Sequence, residues 1–363
     1  MSDDLDPKVA VPVAAQPAAE NPAEGAAHRD TAAIEEGAVA AAGSLLAWRR
    51  QPFPVDWDAE FDVAGPLVLE IGFGDGRFTV RRALAEPGTR FVGLEVSSGS
   101  LQRALRRLQR AGIRNVRIAK VGAEFGLRQL FARAIVSAIV VNFPDPWPKE
   151  KHERHRLLKR SFFELAATRL APGGEVRLAT DHTAYLEFAL REAAASGLFA
   201  ATFPQPPEDV FETKYALKWR EQGIDLNYVV FARSHQAPDG FAHIERPTEM
   251  PHSLLSGRLP TSAPLAKTVI AYGGGHVVLH EAAGVMVAER EHGDRWLIRA
   301  TVEEPDLKQQ LLVLVQQRRP DEVIVRLESF GDPVITHAVR GAVHAVTDWL
   351  EGNTDLSVKQ RNY

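Results

Sequence analysis

The chain has 363 residues, 45% of them hydrophobic and 25% charged, with no cysteine and a formal net charge of −4 at pH 7. Its length predicts about two domains, each with enough apolar residue for a core. The lack of cysteine excludes disulfides, thiolate catalysis and thiolate-held zinc or iron–sulfur centres.

No apolar run nears the roughly 20 residues that cross a bilayer. The acidic start, Met1-Ser-Asp-Asp, lacks the basic region of a secretory signal or transit peptide. The expected setting is the cytoplasm. The mild net charge hides a division along the chain: −6 over residues 1–45, +6 over 46–236 and −4 over 237–363. Only the middle block suits a polyanionic partner.

Residues 1–42 are rich in Ala, Pro and Glu and nearly free of aromatics. Such a segment cannot bury enough apolar surface to offset its ordering entropy, so it is expected to be a disordered tail. A short helix around 31–46 is the structured alternative. From Pro66 onward, short apolar runs at 67–71, 91–94, 116–118, 138–141 and 176–179 read as buried strands. Between them, 77–86, 100–111, 124–133, 153–170 and 183–197 read as amphipathic helices. This alternation predicts an α/β, doubly wound parallel sheet. Runs at 199–203 and 226–232 predict an antiparallel hairpin at its end.

Residues 237–264 hold five prolines and few periodic apolar positions, and are expected to be a linker. Beyond it, 265–363 reads as a smaller α+β domain. Strands are predicted at 269–271, 277–280, 285–289, 296–302 and 323–327, and helices at 307–317 and 334–350. No repeat and no chemical motif stands out there.

Glu70-Ile-Gly72-Phe-Gly74-Asp-Gly76 follows a strand and precedes a helix, where glycines turn tightly and let a ligand approach the backbone. The spacing is G-x-G-x-G, not the G-x-G-x-x-G of dinucleotide sites. Glu95 ends the next strand, where a carboxylate accepts hydrogen bonds from ribose hydroxyls. Glycine loop and acids together resemble the S-adenosylmethionine site of class I methyltransferases. An unliganded strand–helix turn and a nicotinamide site are the competing readings.

Asn142-Phe-Pro-Asp145-Pro-Trp147-Pro follows the fourth strand. Prolines at every second position stiffen the backbone, and ligands of open α/β sheets bind beyond such strand ends. A stiff loop there holds Asp145 and Trp147 ready for chemistry; the bland reading is a structural turn with a packed Trp147. The basic run Lys149-Glu-Lys-His-Glu-Arg-His-Arg156-Leu-Leu-Lys-Arg160 follows. On a helix, Lys151, Arg154, His155 and Lys159 share a side. That face is either simply solvated or, next to the loop, placed for phosphate contact.

With these residues in view, the chain from about 45 to 236 resembles the bacterial tRNA (guanine-N7-)-methyltransferases. The carriers are LEIGFGDG (69–76), GLEV (93–96), FPDPWPK (143–149), LATDH (178–182) and TKY (213–215). The resemblance implies a Rossmann-like class I fold and methyl transfer from S-adenosylmethionine to N7 of a guanosine in the variable loop of tRNA. It implies that Glu70, Gly72, Gly74, Gly76, Glu95, Gly122 and Asp145 line the cofactor site, and that Asp145 is catalytic. Lys149, Asp181, Thr213, Lys214, Tyr215 and Ala216 would meet the substrate. Lys151, His152, Glu153, Arg154, His155 and Arg156 would meet the RNA. Two positions depart from the family's pattern. Gly122 stands where an acid usually contacts the adenine, which leaves a backbone group or Glu124 for that contact. Ala216 stands where an acid often closes the Thr-Lys-Tyr motif.

The alternatives are a small-molecule methyltransferase, which would not need the basic run, and a noncatalytic RNA-binding module on the same fold, which would not need Glu70 and Glu95. An oxidoreductase fits worse because of the glycine spacing. No metal is implied: His276 and His280 lack a third ligand. Nothing in the sequence bears on oligomeric state, which tRNAs are selected, or the role of residues 237–363.

Overall fold

The computed structural model of the chain describes residues 43–212, 226–235, 240–245, 249–280 and 295–363. The expected tail, the expected strand at 285–289 and the motif residues Thr213, Lys214, Tyr215 and Ala216 lie outside the described residues.

Five parallel strands carry the first unit: β1 (Leu67–Ile71), β2 (Arg90–Glu95), β3 (Val116–Lys120), β4 (Val136–Asn142) and β5 (Leu170–Thr180). The strands β6 (Phe199–Thr202) and β7 (Asn227–Arg233) extend it antiparallel, in the order β3-β2-β1-β4-β5-β7-β6. The helices are α1 (Trp57–Glu60), α2 (Arg77–Ala85), α3 (Ser98–Arg110), α4 (Ala123–Leu130), α5 (Arg160–Arg169) and α6 (Thr183–Ser196). This is the doubly wound, Rossmann-like arrangement. Every residue of β1 is buried, as expected of a strand with cores on both faces. One core joins Leu69, Ile139, Phe162, Phe163 and Phe231; the other joins Val68, Phe78, Leu101 and Val140. The helices follow from their patterns. In α3, Leu101, Ala104 and Leu108 are buried at helical spacing, and Ser97 caps the start by accepting from the Ser100 N–H. The edge of β3 does not stay open: the Leu46 N–H donates to the Ile118 carbonyl at 2.9 Å, and Trp48 Nε1 donates to that of Lys120 at 2.9 Å.

The second unit is a seven-stranded sheet, antiparallel throughout, in the order β14-β8-β13-β12-β11-β10-β9. Its strands are β8 (His252–Ser256), β9 (Thr268–Tyr272), β10 (Gly275–Leu279), β11 (Arg295–Glu303), β12 (Lys308–Arg319), β13 (Glu322–Leu327) and β14 (Ser357–Asn362). The helix α7 (His337–Asn353) buries Val339, Val343, Val346 and Leu350 in the same core as Val313, Val315 and Val325 of the sheet.

Three expectations are corrected. Residues 307–317, expected to be helical, form β12, where Gln309, Leu311, Val313 and Val315 are buried at period two. The expected helix over 153–170 is broken: Glu150–His155 is a 3-10 helix and α5 begins only at Arg160. Lys151, Arg154, His155 and Lys159 therefore do not share one helix face. The stretch expected to be a linker contains β8, which pairs with both β13 and β14.

The two units are docked through specific contacts. Arg169 Nη2 donates to the Phe241 carbonyl at 3.0 Å, and the Ile244 N–H to Gln129 Oε1 at 2.8 Å. The turn between β11 and β12 brings Asp306 within 3.0 Å of Arg128. Leu307 and Val334 of the second unit belong to the core of the first. Truncating a buried Leu typically costs about 2–5 kcal/mol. Leu307→Ala is expected to destabilise the chain within that range in urea unfolding, and a chain ending at Glu245 to melt below the full-length protein. Unchanged stability in both would mean that the docked surface holds nothing together.

Candidate functional site

The carboxyl ends of β1, β2 and β4 open into a cleft of about 820 Å³, lined among others by Glu70, Gly72, Gly74, Glu95, Asn142 and Asp145. Its floor is the glycine loop. Gly72, Gly74 and Gly76 all have positive φ (76°, 57° and 77°), the left-handed region that glycine enters at no steric cost. At Gly76 a Cβ would also lie 2.8 Å from that of Ala104 in α3, so loop and helix pack closer than any side chain allows. Asp75 ties the loop to α3: its carboxylate meets Arg107 Nη2 at 3.1 Å and Arg77 Nε at 3.0 Å.

Glu70 is buried, and Thr79 Oγ1 donates to it at 2.5 Å. Burial pushes its carboxyl up to about 7, against the pull of Thr79, Asn142 and Arg82. Beside it, Nδ2 of Asn142 is a buried donor with no hydrogen-bond partner among the described residues. A buried acid on the edge of ionisation and an unused amide face one cleft. Both suit a ligand bearing a cation and an acceptor.

Glu95 rims the cleft. Its carboxylate accepts from the N–H groups of Gly74 (3.1 Å), Val96 (2.8 Å) and Ser97 (2.9 Å). A carboxylate has about four lone-pair sites, so little capacity is left for hydroxyls until one of these bonds exchanges. Gly122 caps α4 with extended backbone and no side chain to offer. A Cβ there would lie 3.3 Å from the Asp306 carbonyl of the second unit. A side chain there would press on the docked turn.

The 143–149 segment is stiffer than its prolines alone require. Phe143 and Trp147 both sit in the left-handed region (φ 49° and 41°), which costs about 1–3 kcal/mol per residue for side chains of this kind. Arg156 braces the Pro146–Trp147 end of the segment. Its Nε donates to the Pro146 carbonyl at 2.9 Å, Nη2 to that of Trp147 at 3.3 Å and Nη1 to Glu153 at 2.7 Å. The guanidinium stacks 4.9 Å from the Phe188 ring of α6. With the Arg156 side chain 4% exposed, its expected place on an RNA surface is corrected: it is an internal clamp. Glu153, also expected at the RNA, is spent on Arg156 and lies 3.7 Å from Arg191.

The clamp leaves Asp145 exposed on the cleft rim, without a hydrogen bond or ion pair among the described residues. Trp147 is 38% exposed beside it and forms a ring cluster with His152 (5.8 Å) and His155 (5.2 Å). Lys149, Lys151, Arg154 and His155 are exposed. Asp181 follows the end of β5 and is partly buried, but it does not line the cleft. The sequence reading missed Asn142 and Thr79 as site residues. Asn142 was legible as the polar end of an apolar strand; Thr79 comes into reach only through the helix turn that follows the loop. Among the described residues no cluster of His, Asp or Glu is arranged to hold a metal ion, and no helix is long and apolar enough to cross a membrane.

A family model described as "Putative methyltransferase" matches residues 64–227. The tRNA (guanine-N(7)-)-methyltransferase of Thermus thermophilus is 41% identical over 305 residues, 84% of this chain and 95% of the relative. That of Deinococcus radiodurans is 43% identical over 307 residues, 82% and 92% of the two chains. That of Thermotoga maritima is 30% identical over 300 residues, 82% and 93%. Alignments this long must run past residue 235, so these relatives share at least part of the second unit.

The raised carboxyl of Glu70 has a measurable consequence. The folded state holds its proton up to about pH 7, while an unfolded glutamate releases it near pH 4.3. Its contribution to stability is fully present below the unfolded pKa and is lost as pH rises through the folded one. Relative to Glu70→Gln, the ligand-free protein is therefore expected to lose stability between about pH 4.3 and 7 and then level off. Parallel melting curves for the two across that range would contradict the burial argument.

Proposed function

The chain belongs to the tRNA (guanine-N(7)-)-methyltransferase family, and from that premise we propose that it transfers a methyl group from S-adenosylmethionine to N7 of a guanosine in the variable loop of tRNA. One observation carries the site assignment. The Arg156 clamp sets an unpaired carboxylate, Asp145, on the rim of a cleft whose depth holds Glu70 and the unused amide of Asn142. A cytoplasmic setting goes with a tRNA substrate.

The residues present fit the cofactor. Glu70 and Asn142 offer a buried acid and donor to its charged amino-acid end, Glu95 offers its remaining acceptor site to a ribose hydroxyl, and Gly72 and Gly74 let it lie on backbone, while Gly76 packs the loop onto α3. Bound S-adenosylmethionine supplies an electrophilic sulfonium methyl, which the N7 lone pair takes as the sulfur keeps the C–S electron pair. Guanine N7 carries no proton, so no general base is required of the chain. The protein's task is alignment, worth about 7–11 kcal/mol in favourable cases, and stabilisation of the positive charge that grows on the base. Asp145 serves the second need: a fixed carboxylate at the rim favours a cationic purine. Asp181 accepts from the N–H edge of the guanine, Lys149 helps to hold the substrate, and Trp147 with His152 and His155 offers ring faces to a base drawn from its stack. Lys151 and Arg154 contact phosphates. Thr213–Ala216 would close over the guanosine.

The direct test is incubation with unmodified tRNA and labelled cofactor, followed by mapping of the methylated base. Label at any position other than guanine N7 would overturn the reading. Asp145→Asn is expected to keep tRNA and cofactor affinity and to slow single-turnover methylation by about tenfold or more, since the lost stabilisation acts in the transition state. A parent-like rate would remove Asp145 from the chemistry. Arg156→Ala is expected to slow the same step while leaving the salt dependence of tRNA binding unchanged. A shallower salt slope would return Arg156 to the RNA surface.

A further inference from the structure

A larger block of positive charge than the run after the 143–149 loop lies earlier in the chain. Residues 77–114 hold nine arginines against two glutamates and no other charged residue. The structure gathers most of them on two adjacent helices, α2 and α3, and just beyond. Between these helices lies an open groove of about 1560 Å³, walled by Arg77, Arg81, Arg107 and Arg110 and floored by apolar side chains such as Leu84, which is 60% exposed. On the solvent face of α3, Arg103, Arg106 and Arg110 are exposed at i, i+3 and i+7, over roughly 10 Å at the helical rise. Arg114 is exposed four residues past the helix end. Arg106, Arg110 and Arg114 have no ion pair among the described residues. Only Glu208 opposes them among the groove's lining residues.

Unpaired like charges so close together repel, and among the described residues no carboxylate pairs with Arg106, Arg110 or Arg114 to relieve them. Such a row is stabilised by a ligand that brings a line of negative charge. A second copy of this face would add repulsion. A purely apolar partner would leave the guanidinium groups uncompensated.

The groove is also continuous with the catalytic cleft. Arg77, Phe78 and Arg107 line both. Trp147 and His155 line the cleft from the β4 side, and these arginines from the β1–β2 side. An RNA strand entering the cleft past Trp147 would meet the arginine row on leaving it. Guanidinium groups pair with phosphate oxygens in a fork geometry and lie flat on base faces, and exposed Leu84 offers an apolar patch beside them.

We propose that the α2–α3 groove is a second RNA-backbone surface, which grips the body of the tRNA whose guanosine enters the cleft. This rests on the methyltransferase reading above. The test uses the full-length chain with Arg106, Arg110 and Arg114 together replaced by Ala, three exposed residues outside the cleft. Melting temperature, cofactor affinity and the single-turnover rate at saturating tRNA should match the parent. tRNA affinity should fall about tenfold or more at moderate salt. The slope of log affinity against log salt should shrink by about 2 to 3, since each phosphate no longer neutralised removes roughly 0.7–0.9 from it. A parent that binds tRNA steeply and a variant with the same slope would overturn the second surface and leave the function standing. A parent that neither binds nor methylates tRNA would overturn the function and this inference with it.

Discussion

The guanidinium of Arg156 is the interaction on which the reactive rim depends. The loop after β4 carries two aromatic residues in the left-handed region, Phe143 and Trp147. Such strain amounts to about 1–3 kcal/mol each, and persists only if the surroundings overdetermine it. Arg156 supplies hydrogen bonds to the carbonyls of Pro146 and Trp147, and bonds to a charged donor are worth about 1.5–3 kcal/mol each. The magnitudes are comparable, so the clamp can hold the loop without freezing it beyond need. Burying the clamp's charge would itself be costly, and Glu153 at 2.7 Å and the Phe188 ring offset this. The result is that the exposed side chains of Asp145 and Trp147 project from a backbone that cannot relax away from the cleft.

The same logic of stored cost recurs at Glu70. A buried carboxyl pushed up to about 7 is poorly solvated in either protonation state. Thr79 satisfies part of it, and the Asn142 amide beside it draws the carboxyl down without completing a hydrogen bond of its own. A ligand that brings a cationic group to Glu70 and an acceptor to the Asn142 amide removes both penalties. The cleft is thus preorganised by what it lacks, and ligand binding and local stability share one source. Asp75 extends this to the α2–α3 groove. By holding Arg77 and Arg107 it connects the glycine loop to the helices that carry the arginine row.

How far the sequence could be read follows from what each signal depends on. The central strands were legible because β1 and β4 are apolar along nearly their whole length. The site motifs were legible because glycine and proline spacing is a local property. The errors came where a distant partner decides. In β12, the Leu311–Val315 run satisfies both helical and strand periods; nine residues of antiparallel pairing with β11 select the strand. In β8 the buried residues are Ser253 and Leu255, and a buried serine hides the alternation. Arg156 is one of six cations in its run. The Pro146 and Trp147 carbonyls, with Phe188 and Tyr185 far along the chain on α6, turn this one inward.

The docked second unit gives Gly122 a reason that no local reading provides. The Asp306 carbonyl stands where a side chain at 122 would extend, and Arg128 holds the turn through Asp306. Leu307 sits in the core of the first unit, while Gln309 next along β12 exchanges two hydrogen bonds with the backbone of Val334 at 2.9 Å. The Asp306 contacts at Gly122 and Arg128 bear on α4, whose first residue, Ala123, lines the cleft. The second unit therefore does not hang from a linker beside a finished enzyme. It buttresses the helix at the end of β3, and a change in its seating would be felt at the cofactor end of the cleft. A side chain at 122 would bear on this docked turn, so the glycine there belongs to the seating of the second unit.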